Sequence, residues 1–89
     1  MYEFEQTRIP FISYDANNID ADSIINSGMY AVGSAGNNFP ENFSAGILIV
    51  LMGIYSIQIV FKNITSDSNL FFRWKYGSAN WQSNWHPVK

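Results

Sequence analysis

The large aromatic side chains near the C-terminus are the first residues of this chain whose type and spacing suit binding chemistry. Aromatic rings beside polar hydrogen-bond donors bind sugars and other flat, partly apolar groups. Trp81 lies in the polar stretch GSANWQSN, and Tyr76 precedes it. For Trp74 and Trp85 the commoner use of such rings, filling a core or a subunit interface, is favoured. For Trp81 both interpretations remain open, and it is the ring with the weakest reason to be in the core.

Arg73 and Gln58 are polar residues inside otherwise apolar segments. The guanidinium fork of an arginine matches the carboxylate of an acidic glycan. An arginine in the middle of a strand is more often structural, however, and hydrogen-bonds to a neighbouring side chain, a loop carbonyl or another subunit. We favour the structural use and keep the binding role as the alternative. The candidate ligand-binding residues are therefore Trp81, Arg73, Gln58 and Tyr76.

The other titratable residues do not form a catalytic or metal-binding pattern. His86 is the only histidine and the chain has no cysteine, so neither a nucleophilic relay nor a zinc site of the usual type can be assembled. Asp20 and Asp22 lie two residues apart, a spacing that does not place them on one face of a helix. No pair of carboxylates is predicted to face across a glycosidase cleft. We therefore expect no enzyme activity, no cofactor and no metal.

The N-terminal part of the chain is predicted to form an arm and a short helix. Pro10 restricts any strand within residues 1–14 to an edge, so we predict an extended arm there and a single domain over residues 15–89. Asn and Asp residues precede Ile24 and Ile25, as they do at the start of helices. This pattern predicts one short helix between Asp15 and Asn26, which Gly28 ends.

The rest of the chain is predicted to be β-structure. Four apolar segments have the length of strands: Met29 to Gly33, Ala45 to Met52, Ile54 to Lys62, and Leu70 to Tyr76. Turn-forming residues separate them, including a Gly- and Pro-containing loop over residues 34–44. The predicted fold class is α+β and mostly β, with one short N-terminal helix followed by a small twisted antiparallel sheet of about four or five strands.

Alternation within the last two strands predicts both their faces and their register. Tyr55, Ile57, Ile59 and Phe61 fall on one face of their strand, and we expect that face to be the core. A hairpin closed at Lys62 and Asn69 places Ile57 opposite Trp74 and Ile59 opposite Phe72. The same register places Gln58 opposite Arg73.

The composition indicates one small domain with more apolar surface than it can bury. The chain has 89 residues, of which 47% are hydrophobic and only 13% charged, against about 25% charged in a typical soluble domain. The net charge of −2 comes from scattered residues, which argues against a nucleic-acid partner. The longest apolar run, Ile47 to Met52, is too short to insert across a membrane. We expect part of the apolar surface to meet another chain.

Between Asn18 and Val88 the chain has an ordered series of turn, strand and aromatic residues: Gly28-Met29-Tyr30, Asn38-Phe39-Pro40, Gly46 to Val50, Gln58, Arg73, Trp81 and Trp85. This order resembles the knob domain of R-type pyocin fibres and related phage tail fibres. That family has, in order, an Asn, Gly-apolar-Tyr, a Pro loop, Gly-apolar-apolar-Val, a Gln, an Arg and a pair of Trp residues. The spacing from Trp81 to Trp85 is longer than the family's usual one.

The resemblance implies a function and a setting. It implies a β-rich module of a phage or tailocin fibre that attaches to a host surface, most plausibly to a bacterial cell-surface glycan, as part of a homotrimer. It implies location in the virion or tailocin particle after synthesis in the bacterial cytoplasm, and the first residues lack the pattern of a signal peptide. The alternative is a small phage-encoded protein that binds a host or virion protein through an exposed aromatic surface, without glycan binding.

Overall fold

The protein forms one six-stranded mixed β-sheet in a computed structural model that describes residues 13–62 and 69–88. The strands are β1 (Ser13–Asn17), β2 (Gly28–Ser34), β3 (Gly46–Leu51), β4 (Tyr55–Lys62), β5 (Leu70–Tyr76) and β6 (His86–Pro87). They lie side by side in chain order, with β1 parallel to β2 and every other neighbouring pair antiparallel. The mostly β prediction is confirmed, with two strands, β1 and β6, that alternation did not predict.

The predicted helix between Asp15 and Asn26 is wrong. The first residues of that segment belong to β1, and the rest contains only the 3₁₀ turn Ala21–Ser23. Asp20 does cap this turn, because its carboxylate accepts a hydrogen bond from the backbone N–H of Asp22 at 2.9 Å. Asn and Asp side chains bond the backbone in turns as readily as at helix starts, so the cap did not require a helix. Of the predicted arm, only Ser13 and Tyr14 lie within the described residues, and they begin β1.

The predicted register of the β4–β5 hairpin is confirmed. Ile57 lies opposite Trp74, and Gln58 lies opposite Arg73. The hairpin closes with a hydrogen bond of 2.7 Å from the backbone N–H of Lys62 to the carbonyl of Asn69. Because side chains alternate along a strand, this register places every residue of the hairpin on a defined face.

The covered face of the sheet is the opposite of the predicted one. Leu48, Val50 and Val60 are fully buried, whereas Tyr55 is 75% exposed. Four polar side chains share the covered face and are also buried: Ser56, Gln58, Lys62 and Arg73. Although a lysine on a strand is usually solvated, Lys62 is 6% exposed and donates a hydrogen bond to the carbonyl of Glu41 at 2.6 Å.

Three segments outside the sheet cover this face. The 3₁₀ turn and the following Ile24 pack on it from one side. The loop after β2 contributes Phe39 and Phe43, whose rings stack at 5.0 Å. The segment before β6 contributes Trp81 and Trp85. Among the described residues no helix has the length and apolarity to cross a membrane.

Candidate functional site

A buried arginine is the centre of the covered face. Arg73 is 1% exposed, and its Nε donates to Oε1 of Gln58 at 2.8 Å. Its Nη1 donates to the carbonyl of Gln82 at 2.9 Å, and its Nη2 donates to Oδ1 of Asp22 at 2.7 Å. Gln58 in turn donates to the carbonyl of Ala21 at 2.7 Å. The network therefore connects β4 and β5 to two of the covering segments, the 3₁₀ turn and the segment before β6.

Two tryptophan rings also contact the guanidinium of Arg73. Its central carbon lies 4.5 Å from the ring centre of Trp85 and 5.2 Å from that of Trp81. Burial lowers the pKa of Arg73, and the hydrogen bond and charge of Asp22 act in the opposite direction. The ion pair with Asp22, whose side chain is 46% exposed, and the aromatic faces together stabilise the buried charge of Arg73.

A second layer of polar contacts holds the 3₁₀ turn in place. The amide of Asn38 donates to the carboxylate of Asp20 at 2.7 Å, and the same carboxylate caps the turn. These hydrogen bonds lower the pKa of Asp20 below its ordinary value, the one from Asn38 contributing most. The indole N–H of Trp85 donates to the carbonyl of Asn38 at 3.1 Å. The 3₁₀ turn and the segment before β6 are therefore both hydrogen-bonded to the loop between β2 and β3.

The structure brings three of the four predicted ligand-binding residues together, but inside the protein. Gln58, Arg73 and Trp81 are 0%, 1% and 8% exposed, so none of them presents a free surface to a ligand. Of the two interpretations left open for Trp81, the structure supports burial, because its ring is covered by Arg73 and by Lys75, whose Nζ lies 5.2 Å from the ring centre. The polar neighbours of Trp81 form a loop that folds back onto the sheet.

Tyr76, the fourth predicted residue, lies on the other face of the sheet and is 60% exposed. We call this other face the open face. Its members are paired across β2 to β6 by the strand registers: Met29, Ala31, Ile47, Ile49, Leu51, Tyr55, Ile57, Ile59, Phe61, Leu70, Phe72, Trp74, Tyr76 and His86. No Asp, Glu, Lys or Arg is among these side chains.

Large apolar side chains of the open face remain in contact with water in the single chain. Tyr55, Phe61 and Trp74 are 75%, 44% and 43% exposed. Their rings form neighbouring pairs, such as Tyr55 with Tyr76 at 4.9 Å and Trp74 with His86 at 5.1 Å. The alternation of residues along β4 predicted that this face is the core, which is wrong. The low charge and high apolar content of the chain did indicate a surplus of apolar surface.

A cleft of about 510 Å³ opens at the margin of the covered face. Its lining combines aromatic rings with amides and charges: Phe39, Pro40, Glu41, Asn42, Lys62, Phe71, Ser83, Asn84 and Trp85. The Nζ of Lys62 lies 4.4 Å from the ring centre of Phe71 at this site. No sequence pattern predicts this cleft, because its lining residues come from four separate segments of the chain.

Neither the residues nor the comparisons point to a reaction. Within residues 13–62 and 69–88, no group of three or more His, Cys, Asp or Glu side chains is placed to hold a metal ion. No family model, no curated protein and no solved structure matches the chain.

Proposed function

We propose that this protein is a non-enzymatic protein-contact module whose open face packs against another polypeptide. The observation that carries the proposal is the exposure of Tyr55, Phe61, Trp74 and Tyr76 on one sheet face whose members from β2 to β6 include no Asp, Glu, Lys or Arg. A full aromatic side chain contributes about 150–250 Å² of surface, so these four leave on the order of 300–500 Å² in contact with water. The largest apolar patch on an ordinary monomer has about this area and is often functional, and the aliphatic members of the open face add to it.

The composition of the face favours a protein partner over a sugar. Interface centres are enriched in aromatic residues and depleted in charged ones, as this face is. Sugar sites combine aromatic rings with several polar groups that hydrogen-bond to hydroxyls, and among the open-face members from β2 to β6 only Tyr55, Trp74, Tyr76 and His86 have a polar side-chain atom. The proposal therefore follows the alternative stated for the sequence, binding of a protein through an exposed aromatic surface.

We place this module in a phage or tailocin appendage. The support is the ordered series from Gly28 to Trp85 that resembles fibre knob domains. Two members of that series, Gln58 and Arg73, are directly hydrogen-bonded in the interior, so they serve the fold. Assembly into a virion or tailocin particle, including the implied homotrimer, requires surfaces of the kind that the open face offers.

Attachment to a cell-surface glycan is the second candidate function, and the cleft beside Trp85 favours it. Its volume falls within the usual range of about 300–1,000 Å³ for ligand sites. The amides of Asn42 and Asn84 lie near its aromatic rings. Replacing the exposed Asn84 with alanine should weaken binding to purified host polysaccharide, and a polysaccharide that does not bind the wild-type protein would remove this candidate.

The proposed function can be tested by site-specific photocross-linking in the producing cell. A benzophenone amino acid replaces Tyr55 on the open face, where an aromatic side chain is already 75% exposed. The control carries the same group at Asn80, which is exposed in the loop after β5. We expect a polypeptide cross-linked through position 55 and none through position 80. Absence of any cross-linked polypeptide at position 55 would contradict the proposal.

A further inference from the structure

We infer that the polypeptide packed on the open face is another copy of this chain. The inference rests on the proposed function and names its partner. The face extends over five of the six strands, so two copies that pair through it would form a two-layer sandwich of sheets. Sheets packed face to face lie about 10 Å apart, and their side chains interdigitate to form one core.

The charge pattern favours a copy of the same surface as the partner. When two different proteins bind, complementary charges on the two surfaces usually determine which partner is bound. The members of the open face from β2 to β6 include no Asp, Glu, Lys or Arg, and among the described strands only β1 adds a carboxylate to this side of the sheet, Asp15, opposite Ala31 at the edge. An uncharged apolar face is complementary to itself, because pairing two copies brings no like charges together.

The shape of the open face also suits packing against the same face of a second copy. Aliphatic side chains from β3, including Ile47 and Ile49, form one strip of the face. Bulkier rings from β5, including Phe72 and Trp74, form the strip on the other side of β4. A two-fold axis that runs along β4 places the β5 strip of one copy over the β3 strip of the other. Large side chains then lie opposite smaller ones, which is how packed layers interdigitate.

The available area is enough for a stable interface. A standard interface buries about 800 Å² on each partner. The four aromatic side chains supply on the order of half of this area. Ile47 and Leu51, which are 38% and 45% exposed, and the half-buried residues between them extend the same surface.

Light scattering after size exclusion of the purified chain tests this inference. The chain has a mass of 10.1 kDa, and we expect twice that value at high protein concentration, whereas three times that value would contradict the two-fold pairing. Replacing Ile47 with glutamate places a charge inside the interface and should weaken association by at least about tenfold, because that charge has no partner there. Tyr55→Glu should act in the same way, and its 75% exposure in the single chain leaves the fold unaffected.

Ile25→Glu is the matched control. Ile25 is 74% exposed and follows the 3₁₀ turn, which covers the opposite face of the sheet. This variant should assemble like the wild-type protein. A wild-type mass of one chain at every concentration would overturn the inference, as would equal effects of Tyr55→Glu and Ile25→Glu. A monomer that cross-links through position 55 to a different polypeptide would overturn this inference and leave the proposed function intact.

Discussion

Replacing Arg73 with methionine should lower the free energy of unfolding by about 2–4 kcal/mol, a large part of what a small domain has. The substitution leaves Oε1 of Gln58, the carbonyl of Gln82 and the carboxylate of Asp22 without their shared donor. Oε1 of Gln58 is fully buried and the carbonyl of Gln82 is partly buried, and an unpaired buried polar group costs about 1–3 kcal/mol. The carboxylate of Asp22 is 46% exposed, so water can replace its lost donor. Methionine fills much of the space between the tryptophan rings, so the loss reports the polar network.

Lys75→Met is the matched control for this prediction. Lys75 lies two residues along the same strand, on the same face, and its ammonium also contacts Trp81. Lys75 lies at the margin of the covered face, so we expect its replacement to lower the free energy of unfolding by only about 0.5–1 kcal/mol. Urea denaturation at one fixed protein concentration measures both variants, because assembly makes stability depend on concentration. An Arg73→Met variant within about 1 kcal/mol of the wild type would contradict a structural role for the network.

Replacing Gly46 with alanine should cost about 3–4 kcal/mol, because the backbone at this position has no space for a side chain. Gly46 begins β3 between β2 and β4 and has a φ of +154°. A Cβ there would lie 2.0 Å from the backbone carbonyl oxygen of Phe61 and 3.0 Å from the ring of Phe43. Relief of this clash requires β3 and β4 to separate at the point where the covering loop packs.

Gly53→Ala provides the comparison for this second prediction. Gly53 lies between β3 and β4, and a Cβ there would meet only the carbonyl oxygen of Tyr55 at 3.4 Å, an ordinary contact. We expect a change within about 0.5 kcal/mol. Thermal or urea unfolding of the two variants decides the matter. Equal losses would mean that the close approach of β3 and β4 at Gly46 is not what requires glycine there.

Much of the sheet could be predicted from the sequence, because alternation and turn residues act locally. The segments that became β2 to β5 were identified, and the register that pairs Gln58 with Arg73 was correct. β1 was missed because its residues, SYDAN, lack an apolar alternation, and its parallel pairing with β2 joins distant parts of the chain. β6 has only two residues, too few for any pattern.

The choice of the covered face could not be predicted from the hairpin alone. The rule that the more apolar face is the core favoured Ile57 over Gln58. Arg73 and Gln58 are buried because distant residues satisfy them: Asp22 and Ala21 from the 3₁₀ turn, and Gln82 from the segment before β6. The contact of Gln58 with Ala21 joins residues 37 positions apart, and that of Arg73 with Asp22 joins residues 51 positions apart. A local sequence pattern cannot predict contacts between residues this far apart.

The same error explains the outcome for the candidate site. Trp81 was selected because its sequence neighbours are polar, yet its ring packs on Arg73. Tyr76 was selected with it, and it lies on the open face instead. A single sequence signal did point to the open face, the combination of 47% hydrophobic and 13% charged residues. Composition reports how much apolar surface exists, and it does not report where that surface lies.

Hydroxyl-radical footprinting of the purified protein over a range of concentrations tests the central claim most directly. The claim is that the polar network is inside and that the aromatic face is open until another copy covers it. We predict that Tyr55 and Tyr76 are oxidised rapidly at low concentration and become protected at high concentration, while Trp81 stays protected throughout. Rapid oxidation of Trp81, or oxidation of Tyr55 and Tyr76 that does not change with concentration, would contradict it.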